Sequence, residues 1–383
     1  MASFSPTPTT ALPSDPVSQS GEKRKSSRIF ELDALRALAA LNLLLFHFTW
    51  VYSAKYGFES PVFGYMFPFG KYGVQMFFML SGFVNAFTLL RKKPTATDFV
   101  AGRAIRILPL FWLVVILNVF LLSSVTMFGQ TVSVDSTVAN MSVMPMLFGY
   151  QCMEPVTWTL MIEILFYGFL LIALFTGRLS KPMLGFMIWV LVGCLVGGFA
   201  NQGIQSWLPE TTIAQISAFI DELLMFRWMP LFAMGILLNE IKMKRGKLHL
   251  NVLGILFAAT VFHLVDVKDH NPLATAVLFG LLLFSAYGRI PVLRFKPLLF
   301  IGSISYPLYL FHNNIGTLVM SQLESIGVHP FASFLFTTAL VIAMSAFLTF
   351  YFERPISRFL GKGWSNRHQI SSWLTPNWSQ PHA

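Results

Sequence analysis

Four ionisable side chains, Arg36, His47, Glu163 and His312, lie inside long apolar stretches of the sequence. Ionisable groups at membrane depth are costly, and they tend to mark functional pathways. Arg36 and His47 are eleven residues apart, which on a helix is three turns plus about 20°, so both project from one face, about 16 Å apart. Counting from the expected helix ends puts His47, Glu163 and His312, on three separate helices, at one depth of roughly 9–11 Å below the outer surface. Neutral imidazole suits proton transfer near pH 7. A carboxylate beside it can orient the ring or stabilise the imidazolium, or act as the acid or base itself. The competing reading for each residue is a hydrogen-bonding staple between helices.

A second, basic layer accompanies the first. Arg103 and Arg106 are three residues apart, hence neighbours on one helix face, and they fall at about the level of Arg36. Arginine is suited to forked binding of phosphate oxygens. The alternative is ordinary positive flanking of a membrane helix, in contact with lipid headgroups.

The elements that carry these residues are apolar. Of 383 residues, 55% are hydrophobic, 15% aromatic and 11% charged, against about 25% charged in soluble domains; mean hydropathy is +0.63. An ordinary soluble enzyme, a disordered chain and a disulfide-stapled module are excluded. Cys152 and Cys194 have no metal-ligand spacing, and no metal site is expected. Continuous apolar stretches recur at about 34–53, 73–90, 107–127, 157–176, 182–200, 223–241, 250–267, 272–288, 298–319 and 331–352. Each is near the length that crosses a bilayer as helix, so the expected fold is an all-α bundle of about ten transmembrane helices.

Charge placement gives the orientation. With a cytoplasmic N-terminus, 23 of the 27 Lys and Arg residues fall on the cytoplasmic side, leaving Lys55, Lys71, Arg227 and Lys268 outside. This is the positive-inside pattern, with both termini in the cytoplasm of a multi-pass cell-membrane protein. The net charge of +10 is then mainly topology, and nucleic acid is not an expected partner. Residues 1–28 read as a disordered Ser/Thr/Pro-rich basic tail, 29–358 as the membrane domain and 359–383 as a cytoplasmic tail. The sequon Asn140-Met-Ser142 lies on the expected outer side, although such triplets are common by chance.

Five blocks, in order, resemble the acyltransferase-3 family of integral membrane acyltransferases. They are ELDALRALAALNLLLFH, which contains an Arg–ten residues–His signature; YGVQMFFMLSGFV at 72–84; RAIRILPLFW at 103–112; WTLMIEILFY at 158–167; and IGSISYPLYLFH at 301–312 with FERP at 352–355. The resemblance covers about 29–358. It implies transfer of an acyl group, usually acetyl, from coenzyme A to an extracytoplasmic acceptor. It also implies that the helix-1 Arg and His are essential and that the arginines before helix 3 serve the donor. Position 102 is Gly102, where the family often has a first arginine, so Arg103 and Arg106 carry that role. No fused hydrolase-like domain fits after the last helix, so a second transfer step would call for a separate soluble partner.

With the resemblance, the two layers acquire roles. Arg36, Arg103 and Arg106 would hold the phosphates of acyl-CoA while its long arm reaches inward. His47 would deprotonate the acceptor hydroxyl, with Glu163 as orienter, stabiliser or alternative acid–base. His312 and Ser81 are candidates for acceptor positioning or oxyanion stabilisation. Direct transfer and an acyl-His intermediate stay open, as does the acceptor: polysaccharide, peptidoglycan, glycolipid or small molecule. The rival from another class is a proton-coupled transporter using the same His and Glu residues as a relay.

Overall fold

The computed structural model describes residues 29–368, except 59, 63, 125–131, 182, 186, 189, 196–226 and 266–270. The tails 1–28 and 369–383 lie outside the described residues, so the expectation of disorder before residue 29 concerns none of them. Every regular element among the described residues is helical. Six helices are long and apolar enough to cross a membrane: Phe30–Tyr56, Pro68–Lys92, Ala96–Ser123, Pro155–Phe175, Leu248–Val265 and Pro330–Trp364; Pro272–Ala286 is a shorter apolar one.

We label the helices in chain order. α1 runs over Phe30–Tyr56 with a π-turn at His47–Val51. It is followed by α2 (Gly73–Lys92), α3 (Ala96–Ser124), a short α4 (Val134–Met141) and α5 (Trp158–Phe175). After them come α6 (Met229–Lys242), α7 (Leu248–Val265) and α8 (Pro272–Ala286). The last group is α9 (Lys296–Ser303), α10 (Ser305–Ser325), α11 (Pro330–Leu348) and α12 (Arg354–His368), with a second π-turn, Thr349–Glu353, joining the final two.

One stretch and one domain boundary differ from the sequence expectation, and the stretches 107–127, 182–200, 223–241 and 250–267 are covered only in part. The stretch 298–319 is two helices, α9 and α10, which meet at Ile304, where the backbone leaves helical geometry (φ −112°, ψ 8°). Pro307 has no N–H to offer the carbonyl of Ser303, so a continuous helix would lose a bond there; the Ser305 hydroxyl instead donates to the Gly302 carbonyl (2.9 Å). α12 continues to His368, so residue 358 lies inside a helix. The stretch 182–200 is helical at 184–195 where described.

Close packing of α1 positions the bundle, and glycines permit it. A Cβ on Gly302 would lie 2.1 Å from the Asp33 carbonyl oxygen, one on Gly70 2.1 Å from that of Asn42, and one on Gly316 2.2 Å from the Phe48 ring. α1 is therefore gripped by α9, by the turn before α2 and by α10. The α2–α6 crossing is made the same way from both sides: a Cβ on Gly82 would meet the Phe232 carbonyl oxygen at 2.2 Å, and one on Gly235 that of Met79 at 2.1 Å. Small residues let helix backbones approach where lipid offers no hydrophobic drive. At the start of α1, the buried Glu31 accepts from Arg294 Nε (2.8 Å) and also faces its Nη2 (2.8 Å).

α3 contains Pro109, which cannot donate to the carbonyl of Ile105. The Ser357 hydroxyl of α12 reaches that carbonyl at 3.5 Å, and the Tyr306 hydroxyl of α10 donates to the carbonyl of Ile107 at 2.9 Å. Side chains of two other helices thus attend to the backbone around the proline, as a membrane interior demands.

Gly235→Leu will push the α2 and α6 backbones apart, and the purified protein will unfold at a lower temperature. Gly168→Ala on α5, where an added Cβ meets nothing within 4 Å, will leave the midpoint unchanged or raise it, since alanine is favoured over glycine in a helix by about 1 kcal/mol. Thermal unfolding in detergent compares the two.

Candidate active site

A cavity between α1, α2, α3, α5 and α10 collects the arginines. Its lining includes Arg36, Arg103, Arg106, Glu163, Tyr167 and Ser81. The Arg103 guanidinium lies over the rings of Phe99 (5.5 Å) and Tyr167 (5.3 Å), a cation–π arrangement that holds it in place. The guanidiniums feel one another and three carboxylates: Asp33 and Glu163 act on Arg36, Glu163 acts on Arg103, and Glu353 acts on Arg106 and Arg36.

Glu163 belongs to this arginine cavity. Its Oε1 accepts from the Ser81 hydroxyl (2.8 Å) and the Tyr167 hydroxyl (2.6 Å), while Asn85 Nδ2 donates to the Ser81 carbonyl (2.8 Å) and to Ser81 Oγ (3.0 Å). The expectation that Glu163 sits beside His47 is corrected: its hydrogen-bond donors are Ser81 and Tyr167, and the ring partner of His47 is His312. The cause is in the chain before α5. Residues 151–157 fold back along α10, with the Met153 carbonyl on Asn314 Nδ2 (2.7 Å) and the Val156 carbonyl accepting from the Tyr309 hydroxyl. α5 therefore starts inside the bundle, and counting from its first residue misjudged the depth. Ser81 likewise spends its proton on Glu163, away from the histidines.

His47 and His312 are brought together. His312 Nε2 and His47 Nδ1 are 2.8 Å apart, with ring centroids 4.9 Å apart. His312 Nδ1 faces the carbonyls of Tyr309 (2.8 Å) and Leu308 (3.1 Å). Carbonyls only accept, so Nδ1 of His312 carries the proton and its Nε2, in the neutral ring, accepts. The bond between the rings then runs from His47 Nδ1–H to His312 Nε2, which leaves Nε2 of His47 as an unprotonated base. Orientation of a base by a second group is the usual logic of such pairs. His47 opens the π-turn of α1, and π-turns recur at functional positions.

The cavity and the histidine pair adjoin but are separate. Phe77, Thr159 and Tyr309 line the cavity, while His47 and His312 are not among its lining. The Tyr309 ring is 6.0 Å from that of His312 and 5.8 Å from that of Phe77.

Beyond the histidines a polar network ties α3 and α10 to the folded-back segment. Asn314 Nδ2 donates to Asn118 Oδ1 (2.6 Å), Asn313 Nδ2 donates to Asn314 Oδ1 (3.2 Å), and the Asn314 N–H reaches Glu154 Oε2 (3.4 Å). Burial pushes the Glu154 carboxyl up to about 8. Asn140 is 2% exposed, with Nδ2 donating to the carbonyls of Ser136 (2.9 Å) and Gln151 (3.1 Å) and Oδ1 accepting from the Met153 N–H (2.9 Å). The sequon is thus a structural clasp.

Sequence reasoning missed Glu353, Tyr167, Tyr309, Asn85 and Glu154 as site neighbours. Glu353 stands in the FERP block, at the end of the second π-turn, and that block was its one signal. Tyr309 and Tyr167 stand in blocks as well, but a tyrosine in an apolar helix does not announce its partner.

The family model described as an acyltransferase domain matches residues 29–350. The chain is also similar to the exopolysaccharide production protein ExoZ of Rhizobium meliloti (strain 1021), at 28% identity over 315 residues, which is 77% of this chain and 92% of that protein. No solved structure matches it. With the matched residues enclosing both the arginine cavity and the histidine pair, the chain belongs to the acyltransferase-3 family and is a membrane acyltransferase.

Proposed function

We propose that the protein moves an acyl group, acetyl in the simplest case, from cytoplasmic acyl-CoA to a hydroxyl of an extracytoplasmic acceptor such as a carbohydrate. The observation that carries this reading is a cavity holding three arginines whose lining residue Tyr309 adjoins, at 6.0 Å between ring centroids, a histidine pair that orients an imidazole base. The resemblance to a protein named for exopolysaccharide production favours a carbohydrate acceptor. In this reading the chain crosses the cell membrane ten times with both ends in the cytoplasm, which accords with the distribution of Lys and Arg. A separate soluble partner would serve any second transfer step.

Coenzyme A is polyanionic. Arg36, Arg103 and Arg106 take its phosphates as charge-assisted, forked contacts, and Asp33, Glu163 and Glu353 keep the guanidiniums compensated when the cavity is empty. Glu163 acts as a positioning residue for Arg36 and Arg103, itself fixed by Ser81 and Tyr167. Arg36 and His47 share α1, so the distance from phosphate anchor to base is set by one helix, about 16 Å along its axis.

The acceptor hydroxyl oxygen attacks the thioester carbonyl carbon, and its proton passes to His47 Nε2. The C–S bond breaks as the ester C–O bond is completed. The coenzyme A thiolate takes the proton back from His47 and leaves as the thiol. Through the attack, His312 holds the His47 ring by accepting from Nδ1. Proton transfer by a positioned group of this kind contributes typically about 10²–10⁴-fold.

His47→Gln will lower turnover by about 10²–10⁴-fold and leave the Kd for acetyl-CoA nearly unchanged. His312→Phe will lower kcat by a smaller factor, with binding also retained; equal binding losses in both variants would remove the base from the histidine pair. Arg36→Ala and Arg103→Ala will each weaken binding of acetyl-CoA at least tenfold, which is about 1.4 kcal/mol, and binding by the parent protein will fall with added salt. Isothermal titration in detergent or nanodiscs decides. A parent protein that shows no saturable binding of acetyl-CoA overturns the donor site.

A further inference from the structure

We infer that Tyr309 and Phe77 form an aromatic constriction between the arginine cavity and the histidine pair, and that this constriction sets the length of acyl chain the protein transfers. The inference rests on the acyl-CoA reading above and deepens it by naming the donor class as short-chain acyl-CoA.

Three observations place the constriction. The cavity that holds Arg36, Arg103 and Arg106 is also lined by Phe77, Thr159 and Tyr309, whereas His47 and His312 stand outside the lining. Tyr309 is one helical turn from His312 on α10, with ring centroids 6.0 Å apart, and His312 touches His47. Phe77, on α2, meets the Tyr309 ring edge to face, with centroids 5.8 Å apart and planes at 64°. An α2 ring and an α10 ring in mutual contact thus stand where the cavity adjoins the histidines.

The tyrosine wall is held in place. The Tyr309 hydroxyl donates to the Val156 carbonyl and lies 2.5 Å from Thr159 Oγ1, which in turn donates to the same carbonyl at 3.2 Å. Val156 belongs to the turn that leads into α5 and Thr159 to the first turn of α5 itself, so swinging the ring away breaks contacts to a second structural element. A donor entering phosphates-last presents its acyl group first to this pair. An acetyl group adds only a methyl beyond the carbonyl. Each further methylene must be housed against fixed aromatic rings, and packed interiors resist added volume. Both rings line the cavity, and the Tyr309 ring also stands 6.0 Å from that of His312.

The test is a chain-length profile on the full-length protein in nanodiscs. Binding is measured for coenzyme A and for non-cleavable ketone analogues of acetyl-, butyryl- and hexanoyl-CoA, and thiol release is measured from the three parent thioesters with methyl glucoside as hydroxyl acceptor. The parent protein will prefer acetyl over hexanoyl at least tenfold. Phe77→Ala and Tyr309→Leu will reduce that preference at least tenfold, with the affinity for the hexanoyl analogue shifting more than the affinity for coenzyme A, which ends at the thiol. Phe77→Trp supplies a second variant of opposite sign, lowering use of butyryl more than use of acetyl.

A parent protein that handles hexanoyl as well as acetyl overturns the constriction. So do variants that bind coenzyme A normally yet keep the parent profile. Absence of coenzyme A binding by the parent protein is the separate failure of the donor reading itself.

Discussion

A guanidinium inside a bundle of apolar helices is tolerated only with opposite charge around it, because an unpaired buried ion is among the costliest groups a fold can carry. Much of this structure follows from meeting that requirement three times in one place. Arg36, Arg103 and Arg106 come from α1 and α3, and the carboxylates that answer them come from α1, α5 and the π-turn after α11. The cavity is therefore assembled from distant parts of the chain. The Ser81 and Tyr167 hydroxyls fix the Glu163 carboxylate, which extends the same constraint to α2.

α1 turns this electrostatic site into a two-sided one. It carries a guanidinium at one level and an imidazole at another, and close contacts at Gly302, Gly70 and Gly316 grip it on three flanks. A helix held that tightly acts as a rigid spacer. The relative placement of Arg36 and His47 then depends little on the loops, which is where variation among relatives would be expected to fall.

The sequence made the helical character, most of the helix positions and the Arg36–His47 spacing legible, because those rest on local periodicity and on one rigid element. The contact of His47 with His312 was foreshadowed only as a shared depth. What was not legible came from backbone that leaves regular geometry. The break at Ile304 depends on a proline whose consequence is felt three residues earlier. The misplacement of Glu163 arose because residues 151–157 re-enter the bundle, where their carbonyls find Asn314 and Tyr309; nothing in the composition of that segment marks it as buried. Glu353 was quoted within a motif yet given no partner, since a π-turn alters the phase that helical counting assumes.

Asn140 has a consequence for how the chain is made. Attachment of a glycan to an asparagine consumes the side-chain amide nitrogen, and here that nitrogen already serves two carbonyls inside a 2%-exposed clasp. In a host whose secretory machinery modifies Asn-X-Ser sequons, modification has to precede closure of the clasp and would then prevent it. Occupancy at Asn140 would therefore act as a clock, recording how long the segment between α3 and α5 waits before it folds down onto α10.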